Sequence, residues 1–218
     1  MVRYEELKND MEIITLLEEG NKNTNGISKI DHSINHCMIV AEKGATILKL
    51  LGYDQHLQEL VKIIGFLHDI GYAVNQERYA EFGAILAYQL IVQRGMPIGD
   101  AADVMFAIGN QDHCESINDS LSAALVIADK TDVRRSRIMK KESSQVDVSC
   151  LVNEAVLRSS LRIDAEHRVI CLDLQIDNKL CSMYDYFQIF LDRMIICKRA
   201  SKQLKSSFAI TVNGIKML

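Results

Sequence analysis

Four side chains in this sequence could hold a divalent metal ion between them: His36, His68, Asp69 and Asp129. His36 lies on a helical stretch in which Val40 and Ile47 continue the same face, and His68-Asp69 falls inside the apolar run VKIIGFLHDIGY. Asp129 ends another apolar run, SAALVIADK, one turn beyond Leu125. A helical bundle would bury all of these positions, and a buried carboxylate needs a compensating partner. Imidazoles and carboxylates in equal number suit a borderline-to-hard divalent ion (Mn²⁺, Fe²⁺, Zn²⁺, Co²⁺ or Mg²⁺), with positions left for water and substrate. Such an ion lowers the pKa of bound water from about 15.7 to about 7 in the best zinc cases, so the chemistry within reach is hydrolysis. Taken singly, each residue has a structural explanation as well. A buried histidine is commonly a hydrogen-bonded core residue, and an aspartate at a helix end is commonly a cap. The order and helical placement of the three pieces together favour a metal centre.

If the reacting group is a phosphoryl group, cationic side chains should ring the site, because negative charge builds there during transfer. Lys130 follows Asp129 directly, Arg134, Arg135 and Arg137 come within two further turns, and Arg78 stands beside Tyr79. Arginine presents a planar fork of donors that matches phosphate. A solvated basic helix end explains the same cluster through the helix dipole. Asp132, one turn past Asp129, is placed to brace a lysine or arginine behind the metal ligands. With Asp31 or Ser33 as the helix cap, His32 falls at the mouth of the site, one turn before His36.

The elements that must position these residues are mainly helices, in keeping with a single proline in 218 residues. Apolar residues at helical spacing predict a helix over Tyr4–Glu19, stopped by Gly20 and NKNTNG, and a second over Ser33–Leu51, ended by Gly52. Further helices are predicted at about 56–70, 78–94, 99–110 and 119–133. KKESSQ then reads as a polar linker, with a domain boundary at 142/143. Beyond it, Ile170, Leu172, Leu174 and Ile176 alternate as a half-buried strand over Arg168–Asp177, which residues 158–164 could pair through DAEH. A long helix over Ser182–Leu204 comes next, with Cys181, Tyr184 and Tyr186 read as core, and then a hairpin turning at Asn213-Gly214. The expected fold is a helical bundle over 1–142 and a small α+β subdomain over 143–218, a short sheet with one long helix.

Composition narrows the function classes. A net charge of −4 argues against long nucleic acid as a partner. No apolar window approaches a membrane span, and MVRYEELKND lacks the apolar stretch of a signal peptide. Six cysteines without C-x-x-C spacing read as reduced core residues of a cytoplasmic protein.

The runs DHSINHCMIVAEKGATILKLLG, KIIGFLHDIGY and SAALVIADKTD, over roughly residues 30–137, resemble the HD superfamily of metal-dependent phosphohydrolases, whose pattern is H…HD…D. ADKTDVRRSRI with the α+β tail is similar to bacterial members carrying such a C-terminal unit. The resemblance implies a helical HD domain with His36, His68, Asp69 and Asp129 as ligands of one metal, and Asp69 also orienting the attacking water. Many members carry a histidine where this chain has Tyr79, before Gly83-Ala84, and another where Gln111 follows Asn110. Those histidines support a second metal or contact substrate, so the departures point to a mononuclear centre. His113, two residues on, is the histidine nominated as general acid.

Two functions are consistent with these expectations. The first is a mononuclear metal phosphohydrolase acting on an ester or anhydride of a small phosphorylated molecule, such as a nucleotide. The second, which Tyr79 and Gln111 favour, is a regulatory module that keeps the metal and phosphate ligand without turnover. The C-terminal unit would in either case suit a homodimer interface through its edge strands.

Overall fold

The computed structural model describes residues 2–24, 30–113, 117–138 and 148–217. The chain opens with α1 (Tyr4–Leu7) and α2 (Met11–Thr24), then the pair α3 (Ile34–Leu50) and α4 (Gln55–Leu67). A 3-10 turn (Ile70–Ala73) leads to α5 (Tyr79–Gln93), α6 (Ile98–Gly109) and α7 (Ser120–Lys130). A second 3-10 turn (Arg135–Arg137) and α8 (Val148–Ala155) precede strands β1 (Val156–Asp164) and β2 (Val169–Ile176). The chain continues with α9 (Met183–Gln203), β3 (Ser207–Val212) and β4 (Ile215–Lys216). The fold is therefore mainly helical with a small C-terminal α+β part, and not all-helical.

Local chemistry sets the helix boundaries. Asp54 caps α4 by accepting from Leu57 N at 2.9 Å, and Asp119 caps α7 by accepting from the amides of Leu121 and Ser122. The first predicted helix is in fact split, because Asp10 accepts from the amides of Glu12 and Ile13 and starts α2 afresh. Nor does Gly20 stop α2, which continues to Thr24. Its missing side chain serves a close approach, since a Cβ there would stand 2.9 Å from the Ala73 amide nitrogen. α8 was not anticipated, and the KKESSQ linker with the predicted boundary at 142/143 lies outside the described residues.

The strands form one sheet in the order β1-β2-β3-β4. β1 and β2 pair antiparallel, with Leu161 opposite Leu172, while β2 and β3 run parallel and α9 makes the crossover between them. Asn213 and Gly214, at φ 50° and 81°, turn β3 into β4 as an Asn-Gly hairpin requires. Ile170, Leu172, Leu174 and Ile176 turn one face of β2 inward, as their alternation predicts. α9 packs between α7 and β3. Tyr186 and Cys181 are buried there, but Tyr184 faces solvent, because residues two apart on a helix of 3.6 residues per turn stand on opposite sides and Tyr186 takes the inward one. Buried residues of the helices and of the sheet join in one contiguous core among the described residues. None of the described helices is long and apolar enough to cross a membrane.

Candidate metal centre

The antiparallel packing of α3 on α4 brings the two histidines together. Gly65 lies so close to Ala41 that a Cβ on it would stand 2.7 Å from the Ala41 Cα, and one on Gly44 would stand 3.0 Å from Val61. Carried toward the start of α3 and the end of α4, that register sets His36 against His68, with ring centroids 5.2 Å apart. α7 packs against both helices and delivers Asp129 from its last turn.

Four groups converge there. His36 Nε2 lies 3.2 Å from Asp129 Oδ1 and 3.7 Å from Asp69 Oδ2. His68 Nε2 lies 3.3 Å from Asp69 Oδ1 and 3.8 Å from Asp129 Oδ1. Ligand atoms of His36, His68 and Asp69 all fall within 4.8 Å of one another, and the three residues are buried. The far side of each ring is engaged: His36 Nδ1 sits 2.8 Å from Asp132 Oδ2, and His68 Nδ1 is 2.8 Å from the Gly65 carbonyl oxygen. A carbonyl or carboxylate acceptor places the proton on Nδ1 and leaves Nε2 with its lone pair. Both Nε2 atoms are buried without a hydrogen-bond partner among the described residues. Paired lone pairs facing two carboxylates fit a divalent metal, so these residues could hold one.

The electrostatics agree with that fit at Asp69, Asp129 and His68, while at His36 burial and Arg137 are outweighed by Asp129 and Asp132, which raise its pKa. Burial alone would raise the Asp69 pKa, but the His68 and His32 imidazoles, with the His32 hydrogen bond, hold it below the usual carboxylate range. Burial likewise opposes ionisation of Asp129, and Lys130 and His36 outweigh it. Burial lowers the His68 pKa, which keeps the ring in the neutral form that a metal needs.

Among the other residues singled out from sequence, His32 accompanies the four ligand candidates most closely. Its Nδ1 lies 2.8 Å from Asp69 Oδ2, and its ring packs on Tyr72 at 4.5 Å. Asp132, fully buried, meets Lys43 and Arg134 as well as His36. A cavity of about 290 Å³ opens over the centre, lined by His32, Asp69, Tyr72, Tyr79, Asp129 and Lys130 together with Ile30, Arg137 and Arg193. Lys130 Nζ spans Asp129 Oδ2 at 2.9 Å and Asp112 Oδ1 at 2.8 Å. Arg137 is anchored on the carbonyls of Asp31 and Asp132.

The structure does not bring every nominated residue to this cavity. Arg78 is turned to solvent, pairs with Glu81 and lies over the Phe82 ring. Arg135 donates to the Glu154 carbonyl on α8, and Arg134 forks onto Asp132 behind the site. His113 is exposed past the end of α6 and does not line the cavity. Tyr79 stacks on Tyr72 at 4.2 Å and donates to Asp112 Oδ2 at 2.5 Å. Gln111 is buried and donates to the His68 carbonyl at 2.9 Å, so it fixes the backbone of the histidine instead of facing the metal position. Sequence reasoning missed Tyr72, Lys43 and Arg193. Arg193 comes from α9, and no local signal shows that this helix docks beside α7.

No protein-family model matches the chain, and no curated protein matches it. Among solved structures, it is similar to one described as a predicted HD superfamily hydrolase from an uncultured Thermotogales bacterium, at 26% identity. That likeness covers 56% of this chain and 67% of the other, with a TM-score of 0.44.

Proposed function

We propose that this chain is an HD-type metal-dependent phosphohydrolase with a mononuclear centre, acting on a phosphate ester or anhydride of a small molecule. The observation that carries the reading is the pair of buried, unpartnered Nε2 atoms of His36 and His68 facing Asp69 and Asp129 beneath a cation-lined cavity. His36, His68, Asp69 and Asp129 would hold the ion, which supplies Lewis acidity and an activated water when bound. Asp132 and the Gly65 carbonyl fix the imidazole tautomers from behind. Lys130 and Arg137 hold the phosphoryl oxygens and offset the charge that develops on them. Among the described histidines outside the ligand set, His32 alone lines the cavity. It replaces His113 as the imidazole placed to pass a proton to the leaving group, while its contact with Asp69 keeps that carboxylate ionised and aimed.

A regulatory module without turnover is the second reading, favoured by Gln111, whose amide nitrogen donates to the His68 carbonyl, and by Tyr79, whose hydroxyl donates to Asp112. An assay with added Mn²⁺ against a panel of phosphorylated metabolites separates the two. Turnover that disappears in both His68→Ala and Asp129→Ala supports the enzyme. Metal retained in the wild type without turnover of any compound supports the module.

A further inference from the structure

A second cavity of about 380 Å³ adjoins the one over the metal centre. Lys130 and Arg193 line both, so these two side chains stand between the cavities. Beyond these side chains, Ile195 and Ile196 of α9 form an apolar wall and Arg199 adds a cation. The carboxylates on this side are Asp112 and Asp192. Asp112 already accepts from Lys130 and Tyr79, and Asp192 is exposed. Arg193 is different. It is half-buried, lies over the Phe190 ring at 5.8 Å, and forms no ion pair within 4.0 Å among the described residues. A guanidinium half withdrawn from water without a carboxylate beside it keeps its planar fork of donors for an incoming anion.

We propose that α9 forms the second half of the substrate cleft, with Arg193 binding the phosphate next to the reacting one. The substrate class is then a phosphoanhydride, such as a nucleoside diphosphate or triphosphate, and not a phosphomonoester. This deepens the hydrolase reading above and rests on it. The reacting phosphorus lies over the four-ligand centre, within reach of Lys130 and Arg137. The water oxygen bonds to it as the bridging P–O bond breaks. The electron pair of that bond leaves with the second phosphate, and a proton from the water passes to the departing oxygen or to solvent. Arg193 meets the second phosphate with its planar fork, while Arg199 and the isoleucine wall receive the group esterified to that phosphate. The two cavities together fall within the roughly 300–1,000 Å³ typical of small-molecule sites.

Calorimetric titration of inorganic pyrophosphate and of orthophosphate into the full chain tests this, for the wild type, Arg193→Gln and Arg199→Gln. Pyrophosphate should bind the wild type about tenfold tighter than orthophosphate. Arg193→Gln should lose about tenfold in pyrophosphate affinity and less than about threefold in orthophosphate affinity, with a smaller pyrophosphate loss in Arg199→Gln. Should Arg193→Gln fail to fold, Arg193→Lys keeps the charge without the fork and should lose about threefold for pyrophosphate. Equal affinity for the two anions, or pyrophosphate binding that Arg193 does not affect, overturns the subsite. Turnover of phosphomonoesters alongside that result leaves the hydrolase reading standing. Arg193-dependent pyrophosphate binding without turnover of any phosphate compound supports the subsite and overturns the hydrolase.

Discussion

Asp132 shows how much of the centre depends on a residue that would not itself touch the metal. Its fully buried carboxylate accepts from His36 Nδ1–H and also meets Lys43 and Arg134. Burial would raise its pKa, but the His36 hydrogen bond, Lys43 and Arg134 hold it far below the carboxylate range. Asp132→Asn should therefore weaken metal binding about 10–100-fold, read by titration against a chromophoric chelator. It should also cost about 3 kcal/mol in urea denaturation, because the half-buried Lys43 and Arg134 lose their buried counter-charge. The ligand candidates were legible from type and burial pattern alone. The Asp132–His36 contact was not, because 96 residues separate the partners. Directions within the basic run were equally hidden. The 3-10 turn sends Arg137 inward and Arg135 outward, which residue types do not foretell.

At the scale of elements, the α3–α4 register is the feature that sets one histidine against the other. Gly65→Ala would push a Cβ into the Ala41 backbone and should cost about 2–3 kcal/mol, with metal affinity falling in parallel. Gly99→Ala is the contrasting case: nothing lies within 4 Å of its Cβ position, so it should stabilise α6 by at most about 1 kcal/mol. Asp10, which caps α2, binds Arg94 at the end of α5 at 2.7 Å. The Arg94 hydrogen bond holds the Asp10 pKa below its ordinary value, so this pair stabilises the fold above the unfolded carboxylate pKa. That contribution fades as pH falls through the folded value. Asp10→Asn, still a competent cap, should cost up to about 1 kcal/mol at pH 7 and nothing in strong acid, measured by denaturation at both. Most helices and both hairpins follow the periodicity and turn residues of the sequence. One exception is local, the Asp10 cap that splits the first helix; the other is long-range, the packing of Gly20 within α2 against the Ala73 backbone.

Over the whole molecule, the sheet and α9 share one core with the helices that carry the metal ligands. Phe190, buried on α9, belongs to it, so Phe190→Ala should cost about 3–5 kcal/mol. Calorimetry should show a single transition, for the wild type and the variant alike, with matching calorimetric and van't Hoff enthalpies. The sequence marks a change of periodicity near residue 142, but not that α9 folds back beside α7 and brings Arg193 to the cavity. That docking is a long-range packing outcome, and no local pattern carries it. The claim on which the rest depends is the metal centre itself. Protein purified without chelators, with its bound metals counted by mass spectrometry, tests it directly. The four converging groups predict about one divalent ion per chain, lost in His68→Ala and Asp129→Ala variants that remain folded. A folded wild type that takes up no ion, even after incubation with Mn²⁺, Fe²⁺ and Zn²⁺, would contradict it.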